Sequence, residues 1–571
     1  MARAPRRPRL LLPGPAGNRL RARLLGLTSP RTRLIADPEP QFIGSAPRGR
    51  QILEGRYQLA GIYAEGNDPW ALERATGGNP AFQEALHGFL WLDDLAAVGG
   101  PAAKRLATAS TTGWLRRFGR GAGPGWVPQL VARRLLRWLC HWELIAPERE
   151  ADAARLARVM GRHALFLSHR WPAAPPGLAR IEALTALAYG GLALEGLSDL
   201  AAPAGAFVAQ ACAVIGDDGA VPSRNPEELL DILHHLLLAA SALTEAGMEP
   251  AEAHLSAIAR IAPLLRSLRH ADGGLARFHG GGRGATGRLD HALAAAGVRD
   301  RAPNPAMGYH RLAAGRSTLI ADVAPPPQGV HATRAHASTL AFELTVARRP
   351  LIVNVGSGLA FGGDWRRAGR ATPSHSTLGL DGVSSSRLGA GEALAETPRV
   401  FLHADAGPLG LSASHDGWRQ SHGLLHSRQL ILSRDGRALE GEDWLGPGSE
   451  ADSATFRQAL QATDRQGLRF SLRFHLHPDV EADLDAGGLE VALALRGGDR
   501  WTFRHDGTAV MAIQPSVYLD GRRLAPRPTR QIVLSATVAD HESRIVWTLA
   551  EAQDRPRHIR DLETDELLAD A

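Results

Sequence analysis

The sequence predicts an all-helical half followed by an all-β half, and three observations carry that expectation. Between about Trp70 and His279, apolar residues recur at three- and four-residue spacing, as in Phe82, Leu86, Phe89 and Leu90 or Val131, Leu135, Trp138 and Leu139. From Ser317 onward the period falls to two, in short runs rich in β-branched and aromatic residues. Turn signals such as Arg434-Asp435-Gly436-Arg437 and Leu519-Asp520-Gly521-Arg522 punctuate those runs. Short strands without intervening helices argue for an antiparallel β-sandwich. At 571 residues more than one domain is expected. The divisions are a mobile or strap-like segment over 1–50, a domain of paired helices over 51–300 and a sandwich over 301–571.

Residues 1–50 are rich in Arg, Pro and Gly and lack a sustained period. In the helical half, loops with Pro and Gly, such as Gly121 to Pro128 and Ala173 to Gly177, separate the segments. Trp91, Trp114, Trp138 and Trp142 recur along it. Tryptophan stacks on sugar rings, but Trp138 and Trp142 lie four apart on an apolar face, which favours packing between helices. The stretch Asp217 to Pro226 interrupts two helices, with Asn225 as a cap and Pro226 in the first turn, and it carries Arg224 on a loop able to reach a cleft. A second polar turn, Arg269 to Gly274, contains His270 and leads to Phe278-His279-Gly280. A flexible linker is expected from Gly280 to Pro305, with Tyr309 just beyond it, where the chain enters the sandwich.

Expected strands include Ser317 to Val323, Thr339 to Val346, Leu351 to Val355, Thr377 to Leu380, Arg469 to His475 and Ser543 to Leu549. His336 precedes the second of these, Asn354 sits near the end of the third, and His375 precedes the fourth. Two imidazoles and an amide therefore converge at one end of a sheet, which makes that end the first place to look for chemistry.

Lys+Arg 65 against Asp+Glu 59 leaves a charge of only +6, and Lys104 is the only lysine. Arginine forks suit carboxylate and sulfate. No arginine run alternates with aromatics, which weighs against nucleic acid. Cys140 and Cys212 sit in apolar helical stretches and are expected as buried free thiols. No apolar segment reaches the length of a membrane span. Prolines and glycines break the basic N-terminus after Leu12, so it makes a poor signal peptide and the default compartment is cytoplasmic.

An α half ahead of a β half, with particular motifs in each, resembles the heparinase II/III-like family of polysaccharide lyases over nearly the whole chain. The motifs are His87-Gly88-Phe89-Leu90-Trp91-Leu92, Ser223-Arg224-Asn225-Pro226, Ala335-His336-Ala337-Ser338-Thr339-Leu340-Ala341-Phe342-Glu343-Leu344, Val353-Asn354-Val355-Gly356 and Ser374-His375-Ser376-Thr377-Leu378. The resemblance implies an incomplete (α/α) toroid packed on an antiparallel sandwich, a site in the cleft between them, and work in the cell envelope or periplasm. It implies β-elimination on a uronate-containing glycan of heparin, heparan sulfate or alginate type. That reaction needs a group to neutralise the uronate carboxylate, a base for the C5 proton and an acid for the departing oxygen. It further implies a structural zinc, mapped onto His336, Asn354 and His375.

The sequence departs from the family at the positions that matter most. Arg334 stands where the sandwich would bear its catalytic histidine, Gly177 to Ala183 stands where the toroid would carry Asn-His, and Arg224-Asn225-Pro226 stands where the tyrosine loop would be. Arg180, Arg224 and Arg334 are then candidates to neutralise a carboxylate, and Tyr309 and His336 are candidates for proton transfer. Asn225, His270 and Trp91 complete the expected substrate contacts. An arginine is no general base at neutral pH. The expectation is a polysaccharide lyase, with a non-catalytic or altered-chemistry binder of an anionic envelope glycan as the alternative. A glycoside hydrolase would need two facing carboxylates, and nothing in the sequence pairs Asp217, Asp218 or Asp272.

Overall fold

The computed structural model describes residues 14–35, 42–389, 392–463 and 466–552. Three helices, α1 (Pro128–Cys140), α2 (Leu178–Ala193) and α3 (Pro226–Glu245), are buried over most of their circumference. Each packs on an outer partner, α1 on Glu150–Arg170, α2 on Ala201–Ala211 and α3 on Glu252–Ser267, and α2 lies between α1 and α3. This in-and-out pairing is the toroid. Pro128 and Pro226 open α1 and α3, where a missing N–H costs nothing. The Asn225 side chain does cap α3, accepting from the backbone of Glu227 and Glu228.

The tryptophans make the toroid core. Trp114, Trp126 and Trp138 surround Arg134, whose guanidinium lies 4.1 Å over the Trp114 ring and donates to the carbonyls of His87 and Gly125. Trp91 stacks on Phe89 and is 1% exposed, so it presents no face to a sugar. Before residue 54, helix Gly14–Gly26 lies on Glu150–Arg170, and helix Ala46–Leu53 lies on Trp91–Val98. Among the described residues no helix is long and apolar enough to cross a membrane.

Among the described residues the β half holds two eight-stranded antiparallel sheets and one two-stranded sheet. The sheet facing the toroid ends in β1 (Tyr309–Ala314), β2 (Ser317–Asp322), β3 (Phe342–Val346) and β4 (Arg349–Val353), in that order from its edge. A short strand, β5 (Leu378–Leu380), pairs with Leu468–Leu476 of the same sheet. Between the sheets, Trp547 stacks on Phe342 and meets Phe474 edge-on. Gly441 lies against this indole so closely that a Cβ would come within 2.0 Å of it.

Two expectations shift. The run from Thr339 becomes strand only at Phe342, because Leu340 adopts φ +60 in a turn closed by the Leu340 N–H on Asp322 O. That turn brings Ser338 to the Asp322 side chain. The stretch from Gly280 to Pro305 is not simply linker, since Arg288–Ala295 is a helix that buries Leu289, Ala292 and Leu293 at helical spacing.

Candidate functional site at the domain joint

Two toroid arginines enter the sandwich and meet two buried carboxylates. Arg224, on the loop before α3, donates to the carbonyls of Met307, Gly308, Ala324 and Pro325, and to Asp322 Oδ1 at the end of β2. All its nitrogens are engaged, so Arg224 fastens the joint and has no free face for a substrate carboxylate. Asp322 also accepts from Ser338 Oγ at 2.7 Å and faces His279 Nε2 at 3.4 Å. Burial alone would raise this carboxyl, but Arg224, His279 and Ser338 outweigh it and hold it well below the usual carboxylate range. Tyr309 lies under Arg224, donates its hydroxyl to the Arg224 carbonyl and is 1% exposed. Burial pushes its phenol well above 10.

From this pair a chain of imidazoles runs inward. His279 Nδ1 accepts the His336 N–H at 3.2 Å. His375 Nδ1 lies 2.9 Å from the carbonyl of Ala371, which can only accept, so the proton is on Nδ1 and Nε2 is the acceptor for His336 Nδ1–H at 3.1 Å. Burial drives His336 well below 6.5 and His375 down to about 4. Both rings are neutral, enclosed and engaged with each other.

The second pair lies alongside. Glu343 of β3 accepts from the Arg277 backbone at 3.0 Å, from Arg277 Nε at 3.3 Å and from the Asn354 N–H at 3.2 Å, and His270 Nε2 stands 3.5 Å away. Arg277 also donates to Asn354 O and lies 4.1 Å over the Tyr518 ring. His270 is buried behind Glu343, away from solvent. The Asn354 side-chain oxygen accepts the Ser376 N–H at 3.0 Å, while its Nδ2 donor is buried without a partner. Zinc needs lone pairs aimed at one point. Here the two ring nitrogens face each other and the amide oxygen is taken by the Ser376 N–H. Among the described residues no three His, Cys, Asp or Glu are placed to hold a metal. His336, Asn354 and His375 do not fit the group the family resemblance implies.

At the rim of the joint the arrangement is open. Arg334 is exposed, beside Gly280, where an added Cβ would lie 3.9 Å from both Arg334 Cβ and Asn225 Nδ2. Across the rim, burial raises the Glu228 carboxyl, and the charges of Arg334 and His331 partly offset that. Arg180 lies elsewhere, donating to the carbonyls of Pro172 and Ala174.

The toroid has a polar centre that its period does not announce. Glu182 of α2 meets Arg133 at 3.1 Å, Arg137 at 3.8 Å and His235 at 3.8 Å, and Asp93 joins Arg137 to His141. Phe42 closes it, lying 4.1 Å from the Arg137 guanidinium and against His234 and His235. A sequence clue is the set Arg133, Arg134 and Arg137 on a helix whose other residues are mostly apolar. Asp322 and Glu343 were hidden in strand-like runs, where a single carboxylate does not break the pattern.

This toroid on a two-sheet sandwich is the architecture of polysaccharide lyases of the heparinase II/III type. The chain belongs to the heparinase II/III-like family, and residues 296–548 match the model of its C-terminal domain. Over 563 aligned positions it is 32% identical to FtsZ-localized protein C of Caulobacter vibrioides (strain NA1000 / CB15N), covering 92% of this chain and 93% of that protein. Among solved structures it is similar to heparinase III, with a TM-score of 0.63 at 12% identity over 95% of this chain and 90% of that one. It is also similar to the heparan sulfate lyase HepC of Pedobacter heparinus, with a TM-score of 0.53 at 14% identity over 95% and 88%.

Proposed function

We propose that this chain is a binding protein on a lyase scaffold, holding an anionic glycan at the rim of the domain joint without cleaving it. Arg334 carries the reading. It is exposed where the family resemblance expects the sandwich's catalytic histidine, and a guanidinium pairs with uronate or sulfate but takes no proton at neutral pH. The burial of Tyr309 and of the His336–His375 pair supports the same reading, since neither reaches a ligand at the rim.

Incubation with heparin, heparan sulfate, alginate and hyaluronan, followed by absorbance of the unsaturated uronate, tests it. The expected outcome is no ultraviolet signal, with glycan retention that Arg334→Glu weakens about tenfold, the size of one charged hydrogen bond. Steadily rising absorbance on any of the four would establish the second reading, a lyase, which family membership favours and in which Glu228 or His331 would act as base.

The relative's name adds a place of action. We infer that this chain gathers with FtsZ in the cell, and a fluorescent fusion expressed at native level is expected to form a band coincident with FtsZ. An even distribution would remove that inference.

A further inference from the structure

The strongest unexplained feature lies at the other end of the same strands. β1 and β2 start and finish at the joint, and their hairpin, Gly315-Arg316, lies roughly 17 Å away by strand rise. There a groove of about 680 Å³ runs between the end of helix Glu252–Ser267 and the turns of the sandwich. Six arginines line it, namely Arg266, Arg269, Arg301, Arg311, Arg316 and Arg348, and no carboxylate does.

The charge is poorly compensated within the chain. Arg269 meets Asp290 at 2.9 Å and Arg316 reaches Asp499 only at 4.0 Å. Arg266, Arg301, Arg311 and Arg348 make no ion pair among the described residues. Arg311 lies at the floor of the groove and donates to the carbonyls of Ser267 and Arg269 and to Thr318 Oγ1, yet its Nε is buried with no partner. Arg266 Nε is likewise buried without a hydrogen bond. A buried guanidinium facing other guanidiniums is costly unless something supplies the opposite charge. Burial, with Arg301 and Arg269 close by, pulls Arg311 down to about 10.

We propose that this groove is a second binding site, for a linear anionic glycan whose carboxylate or sulfate groups sit between the arginine forks. The lining favours a glycan over other polyanions. It holds no Phe, Tyr or Trp ring on which a nucleic-acid base would stack. Its apolar members are alanines, too small to make the side-chain pockets by which peptides are held in register. Its volume suits a ligand of a few sugar units. The site rests on the same ligand chemistry as the rim of the joint but on separate residues.

Arg301→Glu/Arg348→Glu reverses two exposed, unpaired charges and spares the joint. Full-length protein would be titrated with heparin, polygalacturonate, single-stranded DNA and polyglutamate at one fixed salt concentration. The double variant is expected to melt as the parent does and to bind heparin or polygalacturonate at least tenfold more weakly. Loss on heparin alone assigns the groove to sulfate, and loss on both assigns it to carboxylate as well. Unchanged glycan affinity in the double variant would overturn the site, as would tighter binding of DNA or polyglutamate than of either glycan by the parent. Arg334→Glu runs in parallel. An effect there without one in the double variant sinks the groove and keeps the rim, and the reverse result sinks the rim and keeps the groove.

Discussion

Asp322→Ala is expected to lower the free energy of unfolding by about 3–5 kcal/mol, the cost of removing one member of a buried ion pair. The alanine leaves Arg224 inside the joint with four carbonyls and no counter-charge, strips Ser338 of its acceptor and removes the carboxylate that His279 faces. Arg224 is itself held at φ +48, a left-handed conformation that costs an ordinary residue about 1–2 kcal/mol. The backbone accepts that strain because the guanidinium is fixed at its far end, so losing Asp322 also loosens the loop ahead of α3. Urea unfolding of the variant at pH 7 gives the comparison. Ser338→Ala is the control, costing about 1 kcal/mol for one hydrogen bond. A loss under about 1 kcal/mol for Asp322→Ala would mean that apolar packing, and not the arginine–carboxylate pair, fixes the toroid on the sandwich.

The partners in that joint mark the limit of what the sequence discloses. Period alone separates α1 and α3 from β2 and β3, since 3.6 and 2 are local properties of the chain. Asn225 is equally legible, because a cap and the N–H groups it serves are two and three residues apart. Arg224 looked like a substrate ligand because an arginine on a polar loop does not name its partner. That partner is 98 residues on, while Arg277 finds Glu343 66 residues away. His336 and His375 were rightly expected at one end of a sheet. Which atoms face each other depends on the Leu340 turn and on the Ala371 carbonyl, neither of which a motif encodes. Trp91 illustrates the converse: the same residue at the same spacing serves a sugar platform or a core, and only its burial against Phe89 decides.

Stability is expected to fall as pH drops below about 6.5, before Asp322 or Glu343 is protonated. The cause is the set of histidines buried in neutral form. Burial holds His375 at about 4 and His234 and His475 at about 3, against about 6.5 in the unfolded chain. A histidine whose folded pKa is depressed binds fewer protons folded than unfolded between those values, so stability rises with pH across that window and is lost as pH falls through it. At pH 5 the loss is about 2 kcal/mol for each such group, from about 1.36 kcal/mol per unit over the interval below 6.5. Paired carboxylates act later, since Asp443, paired with Arg428 and held at about 2, begins to withdraw its contribution only below the ordinary aspartate value near 4. Asp94, which burial raises to about 6, instead adds stability as pH falls and offsets part of the loss. Unfolding midpoints measured from pH 8 to pH 5 are therefore expected to drop, and a flat profile would show that these imidazoles take up protons without disturbing the fold. His375→Gln should reduce the proton uptake on unfolding at pH 5 by about one. Protonating His375 would put N–H against N–H at its contact with His336, directly behind the His279–Asp322–Arg224 cluster, so the first element to open in acid is the joint that carries the rim.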